Sequence, residues 1–189
     1  MTTTILRAAD RIATPWKNGG GVTREIAVWP PEAGLDDFDW RISMAEVREP
    51  GAFSLFPDVD RCLTVIEGCL RLTFDDETSV SLVARSKPWA FPGDQACHGL
   101  PIGGRVLDLN VMWRRGQFRS QVKRVTDTTW CPTGVVACLI ALEPLTIVDD
   151  CAPAATMLGP MDGWLCHAPS TPVDLAIDGP ALSIDILAL

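Results

Sequence analysis

Chain-turning signals recur every 8 to 15 residues along this sequence, and that spacing constrains the fold more than any other feature. They include Gly19–Gly21, Pro30-Pro31, Pro50-Gly51, Asp75-Asp76, Pro92-Gly93, Gly103-Gly104, Gly159-Pro160 and Gly179-Pro180. Between them lie short apolar runs such as "RISMAEV", "CLTVIEG", "RVLDLNVMW", "GVVACLIAL" and "ALSIDILAL". Each run is long enough for a strand and too short for a packed helix. No long amphipathic helix stands out; the first dozen residues or "SQVKRV" offer a helical turn or two at most. Many short strands at regular spacing predict an all-β sandwich or barrel.

The runs also repeat. "GRVLDLNVM" (104–112) matches "GPALSIDIL" (179–187) at an offset of 75, and Trp89 falls on Trp164 at the same offset. "LTVIEG" (63–68) falls on "LIALEP" (139–144) at an offset of 76. Three blocks in one order at nearly one offset imply a duplicated β unit, with the break in the basic stretch near residues 115 to 128. The copies differ in polarity. The first carries Arg61, Asp108 and Asn110 where the second offers small or apolar residues, Ser183 and Asp185, so the first is the candidate for function.

Composition narrows the classes. The chain has 189 residues and a net charge of −8, which disfavours nucleic acid as a partner because phosphate would be repelled. The basic stretch "WRRGQFRSQVKR" (Arg114, Arg115, Arg119, Lys123, Arg124) reads as a solvated linker leaning on the acidic remainder, or as a contact for an anionic partner. No run reaches the roughly 18 apolar residues of a membrane span. Arg7, Asp10 and Arg11 interrupt what would be the core of a signal peptide, so a cytoplasmic protein is expected. Seven cysteines without a C-x-x-C pair fit a reducing compartment. Cys97 beside His98 could be a nucleophile, but neighbours in sequence need not be neighbours in space.

Three segments carry candidate chemistry. In "VLDLNVMWRR", period-two alternation puts Leu107, Leu109, Val111 and Trp113 on one face and Asp108, Asn110 and Met112 on the other. In "WRISMA", Arg41, Ser43 and Ala45 likewise oppose Trp40, Ile42 and Met44. The polar faces suit either solvent or the wall of a small cavity. Arg61 could grip a carboxylate bidentately or pair with Asp58 or Asp60 at the surface. In "TPWKNGGGVTREI", the lysine precedes the glycines and a strand follows, so a phosphate loop is excluded. Arg24 alternates with Thr23 and Glu25, and only one of these sets can face inward. The two histidines, His98 and His167, show no paired ligand spacing, so no metal and no other cofactor is expected.

Together, "WKNGGGVTREIA" (16–27), "WRISMAEV" (40–47), "GAFSLFPDVDRCLTVIEG" (51–68), "FPGD" (91–94) and "LDLNVMWRRG" (107–116) resemble the HutD/Ves family. The match runs in the family's order over the first two-thirds of the chain. The resemblance implies a bicupin, two cupin-like β-barrels of the RmlC-like jelly-roll type, here residues 1–115 and 116–189. It implies an accessory or regulatory protein of bacterial histidine utilization without an established enzymatic activity; the other branch is described as stress-induced. It further implies a pocket in the first barrel bounded by Lys17, Asn18, Arg24, Ser43, Arg61, Asp108 and Asn110. His98 stands outside the family motif and is kept as a further ligand-binding candidate.

The leading expectation is a non-catalytic binder of a small anionic metabolite such as urocanate or a formylated or formiminated glutamate. Arg24, Arg61 and Lys17 would neutralise carboxylates, since these leave water only when charge and lone pairs are met. The alternative is a cupin-type enzyme acting on a small carboxylate: an isomerase or hydrolase with Asp108 or Glu67 as general base, or a metal-dependent oxygenase. Neither nucleic acid nor membrane is expected as a partner, and a homodimer is left open.

Overall fold

The computed structural model describes residues 2–149, 152–167 and 175–189. Its strands are β1 (Thr2–Leu6), β2 (Ala13–Pro15), β3 (Gly21–Trp29), β4 (Trp40–Val47), β5 (Gly51–Ala52), β6 (Val59–Glu67) and β7 (Cys69–Phe74). β8 (Ser79–Val83), β9 (Trp89–Pro92), β10 (Cys97–Pro101), β11 (Val106–Arg114), β12 (Phe118–Val125) and β13 (Thr128–Trp130) follow. The chain ends with β14 (Val136–Ala141), β15 (Leu145–Asp149), β16 (Ala152–Leu158), β17 (Gly163–His167), β18 (Leu175–Asp178) and β19 (Ala181–Ala188). Among the described residues, Ala8–Asp10 forms the one helical turn, of the 3-10 type. The all-β expectation holds. "SQVKRV", read as a candidate helical turn, lies instead within β12, where it pairs into a sheet.

Two units divide the chain: Ile12–Phe118, and Arg119–Leu189 together with Met1–Arg11. A cut at 115/116 therefore misses the first strand, because β1 runs antiparallel to β17, with Thr4 opposite Leu165 and Ile5 opposite Trp164.

In the Ile12–Phe118 unit, a six-stranded sheet of order β2-β3-β4-β11-β6-β9 accompanies a four-stranded sheet of order β5-β10-β7-β8. Leu63, Val65, Val106 and Phe91 from the first sheet and Leu70, Leu72, Leu82 and Cys97 from the second form one buried cluster. Strand β7 shows why: Leu70, Leu72 and Phe74 are buried while Arg71 and Thr73 are exposed, the period-two pattern of a half-buried strand. Gly21 opens β3 at a close approach, since a Cβ there would lie 2.5 Å from the Glu46 carbonyl oxygen and 3.1 Å from the Trp16 ring.

The other unit repeats this plan. Its sheets run β1-β17-β14-β19-β12 and β13-β18-β15-β16. Strands β12-β19-β14-β17 thus stand in the order of β4-β11-β6-β9. Lateral register repeats as well, for Leu63 opposes Trp89 and Leu139 opposes Trp164. Across the next pair the register differs by two residues: Asn110 opposes Leu63, whereas Ser183 opposes Leu139 and Asp185 opposes Ala137. The pairing of β11 with β6 contains an irregularity between Leu107 and Asp108, which accounts for a local register change. By lateral register the position of Arg61 is taken by Ala137, since Arg61 opposes Phe91 and Ala137 opposes Cys166.

The six cysteines among the described residues form no disulfide with one another, and Cys151 lies outside those residues. No helix among the described residues is long and apolar enough to cross a membrane. The basic stretch is shared between ion pairs and a strand. Arg115 pairs with Asp60 and Asp94, each at 2.8 Å. Arg114 donates to the carbonyls of Phe38 and Asp36 at 3.0 and 3.1 Å. Arg119 and Lys123 are exposed on β12.

Candidate functional site

Strand β11 is the axis of the site. It is paired on both sides, to β4 and β6, so its alternate residues face either the core between the sheets or the opposite side. Asp108, Asn110 and Met112 share the core-facing side with their register partners: Ala45, Ser43 and Arg41 on β4, and Val65, Leu63 and Arg61 on β6. Strand β3 adds Thr23 opposite Ala45 and Glu25 opposite Ser43. A row of polar side chains thereby crosses one end of an otherwise apolar interior.

These groups are buried deeply. Asp108 is 0% exposed, Ser43 3%, Asn110 5% and Arg61 6%. The Arg61 guanidinium carbon lies over the rings of both Phe53 and Phe91, 5.1 Å from each centroid, where the ring faces meet its charge. Arg61 Nη2 donates to Asn110 Oδ1, and Asn110 Nδ2 donates to Asp108 Oδ1. Two buried polar atoms in this chain of contacts, Arg61 Nε and Asp108 Oδ2, have no hydrogen-bond partner among the described residues. Buried polar groups are satisfied in the great majority of cases, so an orphaned donor and an orphaned acceptor on residues joined through Asn110 mark a place for a ligand or water.

Electrostatics point the same way. Burial pushes the Asp108 carboxyl up to about 7, against the opposing pull of the Arg61 charge. Burial also lowers the Arg61 guanidinium from its usual value; nearby Asp108 opposes that shift and Arg41 adds to it. Nearer solvent, Arg41 Nε donates to Glu25 Oε2 at 2.9 Å and Arg41 Nη1 to Ser43 Oγ at 3.4 Å. Arg41 is thus engaged by Glu25, while Arg61 keeps an unused donor.

Of the residues singled out from sequence, Ser43, Arg61, Asp108 and Asn110 come together. The others lie apart. Lys17 and Asn18 are exposed in the turn before β3, where Asn18 Oδ1 accepts from the Gly20 N–H at 3.0 Å. Arg24 opposes Met44, on the face away from Thr23 and Glu25, and helps to lower the Glu46 carboxyl, whose main cause is the hydrogen bond from Arg48. His98 is exposed on β10 and Cys97 is buried, so the adjacent pair points to opposite faces. Burial raises the Cys97 thiol, unlike the lowered thiol of a nucleophile. Glu67 is exposed, 3.5 Å from Arg105. No three His, Cys, Asp or Glu side chains among the described residues gather as metal ligands.

Sequence reasoning left out Phe53 and Phe91, which no local pattern marks, and Glu25, whose orientation was open. The glycine-rich motif reaches the site indirectly. Trp16 Nε1 donates to Thr23 Oγ1 at 2.8 Å, and the Trp16 ring meets Phe53 edge-on, with centroids 6.2 Å apart. Trp16 therefore braces one of the two rings that hold Arg61.

The interior of the second unit is built differently among the described residues. Trp130 and Trp164 meet edge-on at 6.1 Å within its apolar core. Its buried Asp185 is satisfied by Trp130 Nε1 at 3.3 Å and by the N–H groups of Thr133 and Gly134 at 2.8 and 3.2 Å. Sheet order, duplication and a polar site inside one unit together define a cupin-type jelly-roll protein.

The HutD family model matches residues 8–182, and the chain belongs to that family. It is similar to an uncharacterized 21.2 kDa protein in the hutC 3' region of Pseudomonas putida, 38% identical over 66% of this chain and 65% of that protein. It is also similar to protein Ves of Citrobacter koseri, 38% identical over 63% of this chain and 61% of that protein. The match thus spans less than two-thirds of the length of these relatives. The structure of HutD from Pseudomonas fluorescens SBW25 in a formate condition superposes with a TM-score of 0.87 at 27% identity, over 100% of both chains.

Proposed function

We propose that this protein binds a small carboxylate metabolite inside the Ile12–Phe118 unit, at Arg61, and serves histidine utilization as a cytoplasmic accessory or regulatory protein. The observation that carries this reading is the Arg61 Nε donor, buried without a partner among the described residues, as is Oδ2 of Asp108, to which Asn110 joins Arg61. A guanidinium held against two rings is pre-organised for a planar carboxylate, and its remaining charge is met only when an anion arrives. Two relatives support the setting: one lies in a hutC region, and another, a HutD, was studied in a formate condition. Ligands of matching chemistry are formate, urocanate and formyl- or formimino-glutamate. Thermal-shift titration with each should raise the midpoint of the wild type and leave Arg61→Met unmoved. No response from any of them at millimolar concentration would end the histidine-pathway version.

A second reading, an enzyme with Asp108 as general base, draws on one observation. A fully buried carboxyl held near 7, with one oxygen fixed by Asn110, is suited to proton transfer at neutral pH. Incubation of each bound acid in D2O separates the readings. Carbon-bound deuterium that appears with wild type but not with Asp108→Asn marks proton transfer at carbon, and none removes that form of the enzyme reading.

A further inference from the structure

We propose that the site takes up its ligand together with one proton, carried on Asp108 Oδ2, so that a monoanionic carboxylate lies between the Arg61 guanidinium and a neutral Asp108 carboxyl group. The inference rests on the carboxylate-binding reading and adds to it which charge state binds. Its basis is how Asn110 divides the neighbourhood. The amide oxygen accepts from Arg61 and the amide nitrogen donates to Asp108 Oδ1, which fixes Oδ1 as an acceptor and leaves Oδ2 as the atom able to hold a proton. Ionised, Oδ2 would turn negative charge and lone pairs toward the incoming carboxylate. Protonated, it becomes an O–H donor to a ligand oxygen, and Arg61 Nε, which also lacks a partner among the described residues, is a second donor.

Counting charge around Asp108 leads to the same point. From β6 it meets Arg61, with Val65 directly opposite. On β4, Ala45 is directly opposite, and Arg41 further along is paired to Glu25 of β3. Across the core, β10 presents the Cys97 thiol, which burial keeps neutral, and β7 and β8 present Leu70, Leu72, Phe74 and Leu82. One guanidinium with no ion pair among the described residues is thus left for two carboxylates, Asp108 and the ligand. Like charges sharing a buried site cannot both ionise at low cost, and one takes a proton. Burial has already brought Asp108 to about 7, where the proton is available under ordinary conditions.

The test is calorimetric titration of the whole protein with formate, which stays ionised throughout the range used. If one proton enters per formate, the apparent Kd rises about thirtyfold from about pH 6 to about pH 8.5, and Asp108→Asn binds with no pH dependence. Repeating the wild-type titration near pH 8 in two buffers of different ionisation heat should give an uptake close to one proton per formate, a readout that needs no variant. A wild-type Kd constant within about twofold, or no proton uptake near pH 8, overturns the proton partnership and leaves carboxylate binding standing. Failure of formate to bind wild type at any pH overturns both.

Discussion

At the scale of single residues, the protein keeps an arginine and an aspartate inside an apolar core and joins them through one asparagine. Arg61 is held by ring faces and by Asn110, Asp108 by Asn110 alone, and each retains one unused polar atom. A stability effect follows for Asp108. Its folded pKa, about 7, is raised above the ordinary 3.8, so the folded state retains a proton that the unfolded chain has released. Stability is therefore greatest below the ordinary value, falls as pH rises through the interval, and has lost the full amount above about 7. Asp108→Asn removes the buried charge and should unfold with little pH dependence there, gaining on the order of a few kcal/mol over wild type near pH 8. Chemical denaturation at about pH 5 and about pH 8 checks this; equal losses in both proteins would contradict it. Alternation in the sequence already placed Asp108, Asn110, Ser43 and Arg41 on polar faces. It could not say that those faces turn inward, because period two describes a cavity wall and a wet surface equally well.

Among the elements, the opening motif is where sequence and structure diverge most. Lys17 and Asn18 read as a rim for an anion, yet they occupy an exposed turn. Arg24 points away from Thr23 and Glu25, an orientation set by pairing with β4, and that pairing is irregular between Glu25 and Ala27. A one-residue slip exchanges the two faces of a strand, so the sequence alone could not decide between the sets. The motif instead supports the site through Trp16, Thr23 and Phe53. Gly21 is its most constrained point. Gly21→Ala would drive a methyl group to 2.5 Å from the Glu46 carbonyl oxygen and against the Trp16 ring. It should cost about 1–3 kcal/mol in denaturant unfolding and weaken formate binding through the displaced Trp16–Phe53 contact. Unchanged stability would show that β3 and β4 can separate freely.

Across the whole molecule, one plan is used twice, and the buried polar groups differ between the copies: Arg61, Asp108 and Asn110 in one, Ser183 and Asp185 in the other. The repeat was legible because β6 with β9 and β14 with β17 preserve both residue type and register, as Leu63–Trp89 and Leu139–Trp164 show. The finer alignment was not, since β11 and β19 sit two residues out of step against β6 and β14. Nor was the partnership of β1 with β17, because a strand's sequence carries no mark of a partner some 160 residues away. In the second copy Asp185 has a structural part. Asp185→Ala would orphan the N–H groups of Thr133 and Gly134 and the Trp130 indole, costing about 1–3 kcal/mol by thermal or chemical unfolding. Formate affinity should not change, because the residues proposed to hold it belong to the other unit. The central claim is that a carboxylate belongs between Arg61 and Asp108. A crystal structure of the protein soaked in urocanate tests that most directly. The ligand carboxylate should lie within hydrogen-bond distance of Arg61 Nε and Asp108 Oδ2. Ligand density elsewhere, with both atoms still unpaired, would contradict it.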